Sequence, residues 1–311
     1  MSKVRDSLLG FAIGDAMGVP FEFTNREDLI KNPITQMTGY GTYNQPEGTW
    51  SDDTSMTIAT MDAIVTKKEI NYKRIMSNFL SWFSVGKYTA TGSLFDIGVT
   101  CSEALARYSS GSYEPLDCGI DDINSNGNGS LMRMLPIAIY CYYKKLNDDE
   151  IINLVNDVSS LTHAHEISKM ACLIYVRYVM NLLDDKDKVK AYKNMQSLDY
   201  SFYSQETIAL FDRVLKDDIS KYKLDDISSS GYVVDSLEAS LWVILNTESF
   251  KQAIIGSINL GNDTDTIGAI TGSMAGIIYG YESIPDIWLD KLKKKNYLIK
   301  LSMKYEKFLN E

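Results

Sequence analysis

The regular spacing of apolar residues constrains the fold of this 311-residue chain more than any other feature. Apolar side chains recur every three or four residues, which places them along one face of an α-helix. The periodic stretches are residues 8–17, 56–65, 75–83, 131–142, 167–179, 233–245 and 267–279. Alternating runs typical of strands are scarce, and the six prolines lie mainly between the periodic stretches, where they can separate helices. The pattern predicts an all-α fold.

The length of the chain allows one large domain or two small ones. Charged stretches at residues 184–193 and 216–226 could be linkers, but each is short and adjoins an amphipathic stretch. Solvated loops or helix ends are therefore favoured over linkers. We expect a single compact multi-helix bundle over residues 1–311.

Two short acidic clusters lie about two hundred residues apart, each directly before an apolar run of small residues. The first is Ser51, Asp52 and Asp53, and the second is Asp263, Thr264, Asp265 and Thr266. Their side chains offer only oxygen ligands, four of them carboxylates, which is the set that Mg²⁺ and Mn²⁺ prefer. Ser, Thr and Asp also cap helix N-termini, so capping is an alternative explanation. Each cluster has more carboxylates than a cap needs, and gathering like charges is costly without a cation, so the sequence favours a shared metal site.

Charge and cysteine content weigh against several other classes of protein. The 31 Lys and Arg against 41 Asp and Glu give a net charge of −10, which disfavours nucleic acid or an anionic membrane as the main partner. Asp6 and Asp15 interrupt the first apolar stretch, so we expect neither a signal peptide nor a membrane span. Two histidines and four scattered cysteines make zinc a poor fit. Such cysteines indicate free thiols in a reducing compartment, and we expect a cytoplasmic protein.

Residues 107–129 form a long connection rich in Gly, Ser and Asp that leads into an apolar helix. It ends in the run Asn126, Gly127, Asn128, Gly129 and Ser130. Glycines let backbone amides approach an anion closely, and a helix N-terminus adds a favourable dipole. The run is a candidate phosphate-binding loop, although a Gly/Asn turn followed by a Ser N-cap explains the same residues.

Six segments in order resemble the motifs of the ADP-ribosylglycohydrolase family, which includes the dinitrogenase reductase activating glycohydrolase and the ADP-ribosylarginine hydrolases. The segments are residues 10–18 (GFAIGDAMG) with Glu22, 49–54 (TWSDDT), 91–98 (TGSLFDIG), 126–133 (NGNGSLMR), 161–163 (LTH) and 261–266 (GNDTDT). Any one of them could arise by chance, but six in family order are specific. The resemblance covers nearly the whole chain.

The resemblance implies an all-α bundle with two Mg²⁺ or Mn²⁺ ions at its centre. The implied ligands are Ser51, Asp52, Asp53, Asp263, Asp265 and Thr266. Many family members have Thr where this chain has Ser51, and the hydroxyl ligand survives that change. Asp15 would orient a metal ligand or a water rather than bind metal.

The resemblance also implies roles in catalysis and substrate binding, with Asp53 and Asp265 serving catalysis through the metals. Glu22 would gate the site or handle a proton, unless it is an ordinary loop residue. Asp96 would bind and help protonate a guanidinium leaving group, unless it caps a helix starting near Ile97. His163 would line the ribose pocket, although a lone histidine is often a hydrogen-bonded core residue. The diphosphate loop would be Gly127, Asn128, Gly129 and Ser130.

The implied activity is metal-dependent hydrolysis of the glycosidic bond between ADP-ribose and an acceptor, with arginine as the leading acceptor. Serine, O-acetyl-ADP-ribose, ADP-ribosyl-guanidine and an ADP-ribosylated base are alternative substrates of the same chemistry. A catalytically silent binding or structural protein is a further alternative, but its mark would be loss of metal carboxylates, and all four are present. The expected partner is an ADP-ribosylated protein or small molecule, the expected state a monomer.

Overall fold

The computed structural model describes residues 2–311, and within that range it contains sixteen α-helices joined by loops and 3₁₀ turns. The helices are α1 (Lys3–Gly18), α2 (Arg26–Lys31), α3 (Asp52–Lys67), α4 (Tyr72–Val85), α5 (Val99–Ser109), α6 (Leu135–Lys144), α7 (Asp148–Ser160), α8 (Glu166–Asp184), α9 (Lys188–Gln196), α10 (Gln205–Ala209), α11 (Asp212–Leu215), α12 (Val233–Leu245), α13 (Phe250–Ile258), α14 (Thr264–Tyr279), α15 (Asp286–Lys291) and α16 (Lys295–Leu309). Over residues 2–311 there is no β-sheet, only three isolated bridges. The all-α prediction is confirmed.

All seven periodic stretches of the sequence lie in helical segments, but one of them is divided. Residues 131–142 begin as a 3₁₀ turn, Leu131–Arg133, and the α-helix α6 starts only at Leu135. Pro136 occupies the first turn of α6, a position where its missing N–H leaves no hydrogen bond unmade. The helix therefore begins later than the apolar period alone predicts.

Helices α1 and α14 form the centre of the bundle and run antiparallel in very close contact. Every residue of α14 from Thr264 to Ile277 is buried. Gly10 lies against Gly272, and Gly14 lies against Gly268, so closely that a methyl group on any of them would overlap the partner's backbone carbonyl. The two backbones touch because neither helix has a side chain at these crossings.

The antiparallel packing brings three helix ends together. The C-terminal end of α1 reaches the first turn of α14, where the Thr264 hydroxyl donates to the carbonyl of Gly18 at 2.8 Å. The first turn of α3 joins them through Asp15, which accepts from the backbone N–H of Thr54 at 3.0 Å. The two acidic clusters lie at these ends, one at the start of α3 and the other at the start of α14.

Two further observations concern membrane-spanning helices and the cysteines. Over residues 2–311, no helix has both the length and the apolar character that a bilayer crossing requires. All four cysteines are buried free thiols.

Candidate active site at the junction of three helix ends

The two acidic clusters meet in the folded chain, although 213 positions separate the residues in contact. The Thr266 hydroxyl lies 3.4 Å from Oδ2 of Asp53, within donating distance. The Ser51 hydroxyl donates to the same carboxylate oxygen at 3.1 Å. A carboxylate from the start of α3 is therefore shared by hydroxyl groups from both clusters.

Capping explains only part of the two clusters. Ser51 does cap α3, because its hydroxyl accepts from the backbone N–H of Asp53 at 3.3 Å. Asp263 occupies the N-cap position of α14 but makes no capping bond; its Oδ2 accepts instead from the side-chain amide of Asn128 at 2.7 Å. Asp52 and Asp265 lie inside the first turns of their helices. These carboxylates are surplus to capping.

Asp15 holds the turn that carries the first cluster. Its carboxylate accepts from the backbone N–H of Ser51 at 2.8 Å and from both the N–H and the hydroxyl of Thr54, the latter at 2.6 Å. Burial raises the pKa of Asp15 to about 6, and the same hydrogen bonds oppose that rise. With its oxygens engaged in this way, Asp15 orients Ser51 rather than facing the cavity.

The base of the site has more carboxylate oxygens than its hydrogen bonds satisfy. One oxygen each from Glu22, Asp263 and Asp265 lie within 4.8 Å of one another. Buried carboxylate oxygens of Glu22, Asp53 and Asp263 have no hydrogen-bond partner. Burial, followed by repulsion from Asp96, raises the pKa of Glu22 to about 8.

The other acids at the base behave in the same way. Burial and then the neighbouring carboxylates hold the pKa values of Asp52, Asp53 and Asp265 well above the usual range. Buried carboxylates that repel one another in this way are what a divalent cation neutralises. The all-oxygen donor set fits Mg²⁺ or Mn²⁺ better than zinc.

A cavity of about 550 Å³ opens above the acidic base. The predicted site residues that line it are Glu22, Asp52, Asp96, Gly127, Asn128, Gly129, His163, Asp263, Asp265 and Thr266. Three others do not line it: Ser51, Asp53 and Ser130. Ser51 and Asp53 lie behind the cavity wall and contact it through the hydrogen bonds above.

The glycine-rich run forms one wall of the cavity but differs from its predicted form in two respects. It leads into a 3₁₀ turn rather than an α-helix, so no α-helical N-terminus points from it at the cavity. The Ser130 hydroxyl is turned into the core, where it contacts Sγ of Cys172 at 3.3 Å and accepts from Ser159 at 3.1 Å. Ser130 thus packs the loop from behind, while Gly127 and Gly129 line the cavity.

Asp96 and His163 both line the cavity, although they belong to different segments of the chain. Asp96 does not cap a helix: α5 begins at Val99 with Gly98 as its N-cap residue. Burial raises the pKa of Asp96. His163 is buried, and desolvation followed by the Arg133 charge lowers its pKa to about 3, so the ring is neutral near pH 7.

Two aromatic residues at the site were not predicted from the sequence. Burial, followed by the nearby carboxyl of Glu22, raises the pKa of the Tyr43 phenol. Phe23 lines the mouth with 69% of its surface exposed and a left-handed backbone (φ 67°). Its N–H donates to the carbonyl of Asn262 at 2.6 Å, which ties the mouth to the second acidic cluster. Phe23 directly follows the matched Glu22, but neither aromatic belongs to a matched motif or carries another sequence signal.

Comparison with known proteins gives one consistent result. The family model described as ADP-ribosylglycohydrolase matches residues 1–310. The ADP-ribosylarginine hydrolase Tri1 of Serratia proteamaculans is 31% identical over 97% of this chain and 78% of its own length. The ADP-ribosyl-[dinitrogen reductase] glycohydrolase of Rhodospirillum rubrum is 29% identical over 94% of this chain and 91% of its own. A solved structure described as an ADP-ribosylglycohydrolase-related protein complex superimposes with a TM-score of 0.83 at 24% identity, covering 99% of this chain and 98% of that one.

Proposed function

Because the chain belongs to the ADP-ribosylglycohydrolase family, we propose that it hydrolyses the glycosidic bond between ADP-ribose and a modified arginine. One observation carries the proposal: two acidic clusters from distant parts of the chain meet at the base of a single cavity. A volume of about 550 Å³ suits a nucleotide-sized ligand. The name of the Serratia proteamaculans relative, an ADP-ribosylarginine hydrolase, supports arginine as the acceptor.

Two divalent cations, Mg²⁺ or Mn²⁺, complete the proposed site. The residues that would hold them are Ser51, Asp52, Asp53, Asp263, Asp265 and Thr266. Glu22 is close enough to Asp263 and Asp265 to share a cation with them. Bound there, the cations would hold the ribose hydroxyls and lower the pKa of a water molecule. The unpartnered oxygens of Asp53 and Asp263 support this assignment.

Asp96 is the proposed acid for the leaving group. Hydrolysis adds the oxygen of water to the anomeric carbon, breaks the bond from that carbon to the guanidino nitrogen, and transfers a proton to the departing nitrogen. Asp96 lines the cavity, and its raised pKa favours the protonated form that such a transfer needs. Once it has given up this proton, the Asp96 carboxylate would pair bidentately with the departing guanidinium group, which favours arginine over serine or an ester.

The other wall of the cavity would bind the ADP-ribose itself. The Gly127 to Gly129 segment has no side chain at its two glycines, so its backbone can approach a diphosphate closely. Asn128 is held in place by its side-chain bonds to Asp263 and to Ser236, the latter at 2.8 Å. Neutral His163 would donate or accept a hydrogen bond at the ribose.

The test is release of free ADP-ribose from a panel of substrates modified on arginine, serine, an ester and a base. We expect arginine to be hydrolysed fastest in the presence of Mg²⁺ or Mn²⁺. Asp53→Ala and Asp265→Ala should abolish turnover while the far-ultraviolet circular dichroism stays helical. Asp286→Ala, which removes an exposed carboxylate outside the cavity, is the matched control and should keep full activity. Retained activity in either site variant would refute the assigned metal site.

A further inference from the structure

Arg133 is a fully buried arginine without a carboxylate partner among residues 2–311. Its guanidinium donates to the carbonyl of Gly129 at 3.0 Å, to the carbonyl of Val158 at 2.9 Å and to the hydroxyl of Thr162 at 3.0 Å. The centroid of the Phe79 ring lies 5.3 Å from the guanidinium carbon. A buried cation without a counter-charge is costly, so its hydrogen bonds must offset that cost, and they fix the positions of the groups that accept them.

The contact with Thr162 fixes the direction of a second hydrogen bond. Thr162 Oγ1 lies 2.8 Å from Nδ1 of His163. Arginine has no acceptor atom, so the Thr162 oxygen must accept from Arg133. A hydroxyl oxygen could accept a second bond, but among residues 2–311 Thr162 Oγ1 has no other hydrogen-bond partner, so Nδ1 is the acceptor that its single hydrogen can reach. In a neutral imidazole the remaining hydrogen must be on Nε2.

The Nε2 edge of His163 lies beside the two glycines that line the cavity, Gly127 and Gly129. It lies beside Gly129: a methyl group built there would be 2.9 Å from Cε1 and 3.4 Å from Nε2 of the ring. His163 itself lines the cavity together with Gly127 and Gly129. Arg133 therefore holds two neighbouring parts of one wall, the loop carbonyl directly and the histidine ring through Thr162.

We propose that Arg133 is a positioning residue that, through Thr162, keeps His163 in the Nε2–H form and so presents a hydrogen-bond donor to an acceptor oxygen of bound ADP-ribose. The inference rests on the proposed function for the identity of the ligand. The donor itself is a property of the ligand-free protein. Because the ring is already in the Nε2–H form, ligand binding does not have to convert it from the other tautomer, and the affinity is not reduced by that conversion.

The first measurement reads the tautomer directly. Long-range proton–nitrogen NMR correlations of the ring nitrogens, recorded on the full chain without ligand at pH 7, show which nitrogen carries hydrogen. The chain has only two histidines, and His165→Asn, which keeps a good N-cap for α8, assigns the signals. We expect hydrogen on Nε2 of His163 and a bare Nδ1. Hydrogen on Nδ1, or a charged ring, overturns the proposal.

The second measurement removes the link between the two residues. Thr162→Val keeps the shape of the side chain but removes the hydroxyl, and Thr162→Ser restores it. Thr60→Val is the matched control, because Thr60 is equally buried and its hydroxyl donates to the Met56 carbonyl at 2.9 Å. Thr162→Val should populate both tautomers, and with about half of the rings in the Nδ1–H form calorimetric ADP-ribose binding should weaken about twofold. The serine variant and Thr60→Val should bind ADP-ribose with wild-type affinity.

The outcomes separate this inference from the proposed function. An unchanged tautomer in Thr162→Val, or an equal loss of affinity in Thr60→Val, overturns the relay even if the wild type is an active hydrolase. A wild type that releases no ADP-ribose from any substrate refutes the proposed function, while the NMR result still decides the tautomer. If the loss in Thr162→Val falls on KM and binding rather than on kcat, the role is positioning of bound ligand.

Discussion

Replacing Gly268 with alanine should separate the central helix pair and destabilise the fold. The new Cβ would lie 2.5 Å from the carbonyl oxygen of Gly14 and 2.9 Å from Cδ1 of Ile258, where ordinary contact begins at 3.4 Å. The isoleucine can rotate, but the carbonyl belongs to the backbone of α1 and cannot. Relief requires α1 and α14 to move apart by about 0.9 Å at their closest crossing.

The size of the effect follows from two opposing terms. Overpacking of this kind costs about 1–3 kcal/mol, and the upper end applies because the obstructing atom is in the backbone. The gain in helix propensity from glycine to alanine offsets about 1 kcal/mol, which leaves a net loss of about 2 kcal/mol. An unfolding entropy of about 2.1 cal/mol/K per residue converts this loss to a fall in Tm of about 3 °C for a chain of this length.

Thermal unfolding of Gly268→Ala beside Gly256→Ala is the assay. Gly256 is also helical, in α13, but a methyl group there meets Cγ1 of Val243 at an ordinary 3.4 Å. That control should raise Tm slightly, because only the propensity term remains. Manganese titration of both variants should show weaker binding only in Gly268→Ala, since Asp265 lies one turn away. A Gly268→Ala protein as stable as Gly256→Ala would refute the close-packing argument.

Three further outcomes are expected. Asp15→Asn should weaken Mn²⁺ binding about 10–100-fold, because an amide cannot accept all the hydrogen bonds that orient Ser51; calorimetry with unchanged affinity would contradict this. His163→Gln should resist acid better than the wild type. The folded pKa of His163 is about 3 and the unfolded value about 6.5, so the stability from the neutral ring is complete above pH 6.5 and lost as pH falls toward 3. At pH 5 this loss is about 2 kcal/mol, and equal Tm changes from pH 7 to pH 5 in both proteins would argue against it. Finally, a chelator should stop turnover, and Mg²⁺ or Mn²⁺ should restore it where Zn²⁺ does not.

Sequence patterns predicted the helices well because each pattern is local. An apolar period of three to four residues indicates which face of a helix is buried, and that face depends only on the residues of the helix itself. The prediction weakened where two local signals competed: the period predicted one helix over 131–142, while Pro136 delayed its α-helical part to Leu135. The glycine-rich run was likewise predicted to enter an α-helix and enters a 3₁₀ turn.

The convergence of the two acidic clusters was predicted from charge alone, whereas the contacts within the site were not. Carboxylates in excess of what helix capping needs indicate a shared cation, and this inference needs no coordinates. The hydrogen bond from Thr266 to Asp53 and the grouping of Glu22 with Asp263 depend on the register of α1 against α14. No local pattern encodes that register.

The amino-acid sequence by itself determined the fold class, the all-oxygen donor set of the site and the family. Tertiary structure alone decided that Ser130 turns into the core, that Tyr43 lies near Glu22, and that buried Arg133 and His163 both contact the Thr162 hydroxyl. The physical reason is the range of the forces. Helix formation and side-chain chemistry act over a few neighbouring residues, whereas the direction of a buried hydrogen bond depends on packing between segments far apart in the chain.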